Sequence, residues 1–251
     1  MSNPLEQAIR RTIAYGKKYG VLYSAEDISQ RLISEKNYQK IVVKRKIKPT
    51  KKKWYQTKLK MAKNLGKQLA RRFKTIRLIG VTGSVAAEYP KRKDDIDLMV
   101  VTKKNNLWIT RLGIRIWVWF KRIPHRKYDR EEVGDEFCFN LWLEDGALEL
   151  PKNKQTLKNA MDLILMKPVV DKKNTYEKLV ISNIWAKKYV ATGYAMIISK
   201  FKSQKSEREE KTNFLERLIN LIAYGLQYLY MRRRFSGEKV DLKRAFFHPE
   251  K

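Results

Sequence analysis

The sequence is short of several things, and each shortage excludes something. Cys138 is its single cysteine, so an intrachain disulfide and a multi-cysteine zinc site are both excluded, and a reducing compartment fits. The two histidines, His125 and His248, lie too far apart in the chain to suggest a metal cluster, and Cys138 has no evident partner for nucleophilic catalysis. No apolar run reaches the roughly 18 residues of a membrane span. The longest candidate, 107–123, is interrupted by Arg111, Arg115 and Lys121. Glu6, Arg10 and Arg11 break any signal-peptide pattern at the start. A cytoplasmic protein with no membrane partner is the expectation.

Negative charge is the scarcest local commodity. No carboxylate lies between Glu35 and Glu88, whereas residues 36–74 carry 16 Lys and Arg in 39 positions. Over the 251 residues, 56 Lys and Arg against 26 Asp and Glu leave a net charge of +30. Self-repulsion of that size opposes compaction unless polyanions or counterions sit against the surface, which points to a nucleic acid or an anionic membrane as neighbour. The clustering favours phosphate binding. Lys44, Arg45, Lys51, Lys52, Lys53, Lys58, Lys63, Lys67 and Arg71 are the candidate nucleic-acid contacts, with Trp54 and Tyr55 placed to add stacking.

What is present is enough apolar material, 43% of the chain, to bury a core. Pro4 followed by Leu5, Ile9 and Ile13 predicts a short amphipathic helix, and Ser24 with Asp27 three residues on resembles a capping box opening a second. A third over about 37–43 would give residues 1–48 the dimensions of a helix-turn-helix region. Tyr55, Leu59, Ala62, Gly66, Leu69 and Phe73 mark the packing stripe of a basic connecting helix within 49–75. Strand-like runs at 76–81, 96–102 and 137–143, with a helix from Leu107 between the last two, predict a mixed α+β domain over 76–150. Residues 151–251 read as a helical region whose aromatics, Trp185, Tyr189, Tyr224, Tyr228 and Tyr230, follow the apolar stripes and are expected in the core.

Chemistry concentrates in 80–102. Gly83 and Ser84 leave a strand where the backbone turns tightly, so exposed N–H groups and a hydroxyl are available to phosphate oxygens. Asp95 and Asp97 flank Ile96 at strand spacing, which puts both carboxylates on one face. Two adjacent carboxylates repel unless cations neutralise them, and Mg²⁺ is commonly held by carboxylates together with nucleotide phosphates.

This segment resembles the nucleotidyltransferase superfamily with the DNA polymerase beta fold, whose pattern is an apolar residue, Gly, then Gly or Ser, about ten residues, and Asp, an apolar residue, Asp or Glu, and a second apolar residue. Thr82-Gly83-Ser84 and Asp95-Ile96-Asp97-Leu98 carry the resemblance. It implies a nucleotidyltransferase-type mixed sheet between the two helical regions and transfer of a nucleoside monophosphate from an NTP to an acceptor hydroxyl. Gly83, Ser84 and Arg92 would contact the triphosphate, and Asp95 and Asp97 would hold two Mg²⁺ ions. The family's third carboxylate lies on a later strand, where this chain offers Asn140, with Glu144 on the same face by simple alternation. Asn cannot take a proton, so general-base work would fall to Glu144, substrate or water. The acceptor expected from the charge is a nucleic acid, RNA favoured. Two other readings are a catalytically inactive nucleic-acid-binding protein of the same fold and an antitoxin-like enzyme that nucleotidylates a protein partner.

Overall fold

A computed structural model describes residues 3–41, 49–126, 134–201, 213–235 and 238–247. In chain order the elements are α1 (Pro4–Lys18), α2 (Ala25–Gln30), α3 (Tyr55–Arg72), β1 (Ile76–Val81), α4 (Gly83–Ala86), β2 (Ile96–Thr102), α5 (Leu107–Phe120) and β3 (Phe137–Glu144). There follow α6 (Leu157–Leu165), β4 (Lys167–Asp171), α7 (Thr175–Ser182), α8 (Lys187–Ile198), α9 (Phe214–Met231), β5 (Lys239–Val240) and β6 (Arg244–Phe246). The strands form one mixed sheet in the order β4-β1-β2-β3-β6-β5. The α+β class and the helices at both ends agree with the sequence reading.

β1 turns back antiparallel on β2, and β2 runs parallel to β3. A parallel pair needs a long crossover, which α5 supplies. Alternation along β2 splits the interior into two layers. Ile96, Leu98 and Val100 face Leu59, Leu65 and Leu69 of α3 and Trp108 and Ile114 of α5. Met99 and Val101 face Leu163, Ile164 and Leu165 of α6 and Leu179 and Val180 of α7. β4 joins the sheet beside β1, and β6 and β5 join beyond β3, so the sheet runs past the boundary expected at residue 150. Pro168 sits in β4, an outer strand, where a missing N–H is tolerated.

The N-terminal helices form where expected, and Ser24 and Asp27 make both bonds of a capping box. The expected third helix does not form over 37–41, and 42–48 lie outside the described residues, so no helix-turn-helix is formed by the described part of this region. Instead α2 is bound to the loop after α4. Buried Asp27 pairs with Arg31 at 2.6 Å and accepts from the Tyr89 hydroxyl, and Arg31 Nη2 donates to the Ala87 carbonyl at 2.9 Å.

The largest departure from the sequence reading is α9. Its aromatics were expected in the core, yet Tyr228 and Tyr230 are exposed, and so are Phe214, Leu215, Leu218, Ile222, Leu226 and Leu229. The buried residues are Asn220, Ala223, Gln227 and Met231. The reason is hydrogen bonding. Asn220 Oδ1 accepts from the backbone N–H of Trp108 and Ile109 at the start of α5, and Gln227 Oε1 accepts from Arg111 while its amide donates to the Trp108 carbonyl. The inward stripe of α9 is thus chosen by polar groups that α5 leaves unsatisfied. Of the aromatics expected in the core, Trp185 is buried and Tyr189 and Tyr224 half-buried, whereas Tyr228 and Tyr230 face outward.

Candidate functional site

The Gly83 turn and the Asp95–Asp97 pair meet because β1 and β2 are antiparallel. Val81 stands opposite Leu98, and the Thr82 N–H donates to the Asp97 carbonyl at 3.0 Å, so the turn leaving β1 closes over the start of β2. Gly83 has φ +63, a left-handed conformation that favours glycine, and a Cβ there would run into Asp97 Oδ2. The glycine therefore serves two ends: it makes the turn, and it lets the Asp97 carboxylate lie against the backbone. Ser84 follows, half-buried, in the first turn of α4.

Asp97 projects from the sheet face opposite Ile96 and Leu98, and Asp95 projects to the same side. A carboxylate oxygen of each, with Cys138 Sγ from the neighbouring strand, lie within 4.8 Å of one another. Cys138 pairs in register with Asp97. Burial, then the charges of Asp97 and Asp95, push the Cys138 thiol well up, so it is held protonated and is a poor partner for a hard cation. Arg126 Nη1 reaches Asp95 Oδ2 at 3.1 Å, and the backbone of Arg126 bonds to Phe137 at 3.0 Å, which fixes this cation beside the pair.

Asn140 is at the site two residues after Cys138, the partner of Asp97, and β3 is bulged there. Leu98 pairs with Phe139 and Met99 with Leu141, leaving Asn140 as the extra residue. Alternation from Cys138 puts Asn140 on the face of Asp97, and Asn140 Nδ2 donates to Asp97 Oδ1 at 2.7 Å. Its Oδ1 is buried and has no hydrogen-bond partner among the described residues.

The same bulge removes Glu144 from the site. Shifting the alternation by one turns Glu144 to the other face, paired with Thr102, about 16 Å along the strand from Asp97 at the usual rise. There it is almost fully buried, and its carboxylate accepts from backbone N–H groups of residues 105–107, capping α5. Burial raises its pKa and those amides only partly oppose the rise. Glu144 is a helix cap, and the role of general base given to it from simple alternation is corrected.

Two residues missed in the sequence stand over the Gly83 turn. Asp162 of α6 accepts from the Gly83 N–H at 3.2 Å, and Lys158, one turn earlier, pairs with Asp162 at 3.2 Å. Asp162 raises the pKa of Lys158, with a smaller contribution in the same direction from Asp97. An i,i+4 Lys–Asp pair is an ordinary surface pattern, so nothing in the sequence marked it. Arg92 is exposed in the 88–95 loop with its guanidinium 6.0 Å from the centre of the Trp54 ring, and its carbonyl accepts from Lys58.

The basic segment divides. Lys58, expected among the nucleic-acid contacts, is instead buried, and its ammonium binds the Asp94 carbonyl at 2.7 Å and Asp135 at 2.6 Å, so it braces the loop entering β2 and is not presented at the surface. Lys52 is paired with Glu88 at 2.6 Å and Asp27 at 3.5 Å, tying the N-terminal region to the turn. Lys53 lies over the Trp54 ring and Lys51 is exposed. Lys60, Lys63, Lys67 and Arg71 are exposed and recur every three or four residues, one stripe along α3. That helix packs on the sheet face opposite Asp97. Lys44, Arg45 and His248 lie outside the described residues.

Compared with known protein families and with curated proteins, the chain matches none.

Proposed function

We propose that the protein is a nucleotidyltransferase, moving a nucleoside monophosphate from an NTP to an acceptor hydroxyl with release of pyrophosphate. The observation that carries this reading is Asp97 seated on Gly83, with Asp95 beside it and the α4 backbone and Ser84 adjoining: two carboxylates next to a tight glycine turn. The residues present fit a hard divalent cation. Asp95 and Asp97 offer carboxylate oxygens, and the unpartnered Asn140 Oδ1 offers a neutral one. Magnesium held there would neutralise triphosphate charge and lower the pKa of the acceptor hydroxyl.

The chain's own groups have distinct tasks. Gly83 N–H and the Ser84 hydroxyl would hold phosphate oxygens, and Lys158 would add charge from above. Asp162 accepts from the Gly83 N–H, so it stands where a phosphate oxygen would sit and would give way to one. Asn140 orients Asp97 through its amide and takes no proton, which leaves the acceptor proton to solvent or substrate. The α3 stripe would hold a polyanionic acceptor, RNA in the first instance, while lying on the other side of the sheet from the carboxylates; its task is retention of the acceptor and not alignment of the reacting hydroxyl.

One observation favours a second reading, a nucleic-acid-binding protein of this fold without catalysis. Arg126 on Asp95 and Asn140 on Asp97 give both carboxylates a partner without metal. Nucleotide binding separates the two. Mg²⁺ with an NTP should raise the melting temperature of the wild type and not that of Asp97→Asn. Equal shifts for both, or none for either, would support the second reading.

A further inference from the structure

Among the described residues, the outer face of α9 has no partner, and it is strongly apolar. Leu226 is 62% exposed, Leu215 57%, and Ile222 and Leu229 55% each, and they share one side of a helix about 27 Å long at the usual rise. The bonds from Asn220 to residues 108 and 109 and from Gln227 to Arg111 show α5 and α9 running in the same direction, so their C-terminal ends lie together. At that end Trp119 and Phe120 are 72% and 73% exposed. Lys121, Arg122, Arg232 and Arg233, all exposed, follow directly on the two helices. The single carboxylate on α5 and α9, Glu216, is already paired with Lys103 at 3.1 Å. Single exposed apolar residues need no explanation, but a continuous face of this extent does.

We infer that this face docks on an anionic lipid surface, with α5 and α9 lying in the interface. Charge complementarity selects the occupant. An apolar face ending in aromatic residues and rimmed by cations suits the boundary between anionic headgroups and acyl chains. Two copies of a chain with net charge +30 would bring like-charged rims together, which disfavours self-association. Residues 202–212 contain no apolar side chain with which to cover the face. Leu215, Leu218, Ile222, Leu226 and Leu229 present no polar atom that would set the register of a protein partner, whereas fluid acyl chains require none. No helix of the described residues is long and apolar enough to cross a membrane, and an interfacial contact needs none. The lack of a spanning run in the sequence therefore bears on crossing and not on docking. The inference rests on α5 and α9 alone and stands apart from the reading of the carboxylates.

The test floats the full chain with vesicles of phosphatidylcholine alone and of phosphatidylcholine with phosphatidylglycerol. The wild type should float with the anionic vesicles and little with the neutral ones. Lipids brominated in the acyl chains should quench a part of the emission that Trp119→Phe removes, since Trp119 is the one exposed tryptophan. Ile222→Gln/Leu226→Gln/Leu229→Gln, which alters exposed side chains only, should lower binding by about tenfold or more. Lys121→Gln/Arg122→Gln/Arg232→Gln/Arg233→Gln should do likewise. The inference is overturned if the apolar variant binds as well as the wild type, because adsorption by charge elsewhere would then suffice. It is also overturned by equal binding to both vesicle types, by no flotation, by no quenching at Trp119, or by a wild-type dimer that the apolar variant turns to monomer.

Discussion

Asn140 Nδ2 donates to Asp97 Oδ1 at 2.7 Å across the β2–β3 pair, from the one bulged position in the register of those strands. An amide thus occupies the neighbourhood in which a third carboxylate was sought, and it holds Asp97 by a hydrogen bond where a carboxylate would repel it. The exchange has a measurable consequence. Asn140→Asp should destabilise the protein without divalent cation, through like-charge repulsion, and regain stability when Mg²⁺ is added. If nucleotide transfer is limited by the missing base, the same variant should raise its rate by roughly a hundredfold. Thermal melts with and without Mg²⁺, and a single-turnover rate, check both.

Asp162 accepts from the Gly83 N–H, where the proposed function places a phosphate oxygen. Removing its charge while keeping its shape, Asp162→Asn, should tighten NTP binding several-fold, because a bound triphosphate no longer displaces an anion. Titration of each variant with a non-hydrolysable NTP measures it. Weaker binding would make Asp162 part of the nucleotide site in a way that displacement does not describe.

Glu144 caps α5 and should be dispensable for transfer. Glu144→Gln keeps an acceptor oxygen for the residue 105–107 amides and removes a buried charge whose pKa is raised. Because such a carboxyl resists ionisation in the fold, its cost appears as pH rises above about 4.3, the unfolded value, so at neutral pH the variant should melt no lower than the wild type. Glu144→Ala loses the cap and should cost about 1 kcal/mol. A loss of activity in Glu144→Gln with an unchanged melt would restore a catalytic role.

Asp27 and Glu88 join the N-terminal helices to the turn beside the site. Burial pushes the pKa of Asp27 up, but Tyr89, Arg31 and Ser24 outweigh it, and burial of Glu88 is likewise outweighed by Lys167 and Lys52, so both lie below the usual carboxylate range. Their stabilisation is fully present above the unfolded values near 4 and is lost as pH falls through the lower folded values. Melts of the wild type from neutral pH down to about 3 should therefore fall more steeply than those of Asp27→Asn, and Asp27→Ala should cost about 3 kcal/mol at neutral pH by leaving Arg31 buried without its partner.

The two classes of basic residue on α3 should separate cleanly. Replacing Lys60, Lys63, Lys67 and Arg71 with Gln should reduce the salt slope of RNA binding by up to about 3, as expected for four phosphate contacts with a single strand, and leave stability unchanged. Lys58→Met should leave the slope unchanged and lower stability, since it removes the brace on the Asp94 carbonyl and Asp135. Binding measured across a salt series with each variant tests the division.

The strands and helix around the motif were legible because their signal is strong and local. Ile76, Leu78, Ile79 and Val81, then Ile96 to Thr102, then Phe137 onward are compact β-like runs, and all three strands occur where the pattern put them. The short α4 and the strands β4, β5 and β6 were not legible, since two to five residues carry no period of their own, and the strands owe their conformation to the sheet they extend. At the site, the Gly83, Asp95 and Asp97 arrangement and the place of Asn140 beside it followed from spacing, whereas the place of Glu144 did not. A single bulged residue at Asn140 inverts the alternation that had put Glu144 on the same face. In α9, periodicity reported which residues share a side and not which way that side turns; Asn220 and Gln227, binding α5, set the direction. Lys58 shows the same limit, a lysine indistinguishable in sequence from its exposed neighbours until the loop that it binds is placed beside it.

Transfer at Asp95 and Asp97 is tested directly with labelled nucleotides. Each of the four NTPs, labelled at the α-phosphate, is incubated with the protein, Mg²⁺ and total cellular RNA and protein, and the wild type is compared with Asp95→Asn/Asp97→Asn. Label carried onto RNA by the wild type and reduced to background in the double variant is the predicted result. No transfer from any NTP, with RNA binding equally strong and equally salt-sensitive in both proteins, would contradict it and leave a binding protein whose carboxylates are held by Arg126 and Asn140.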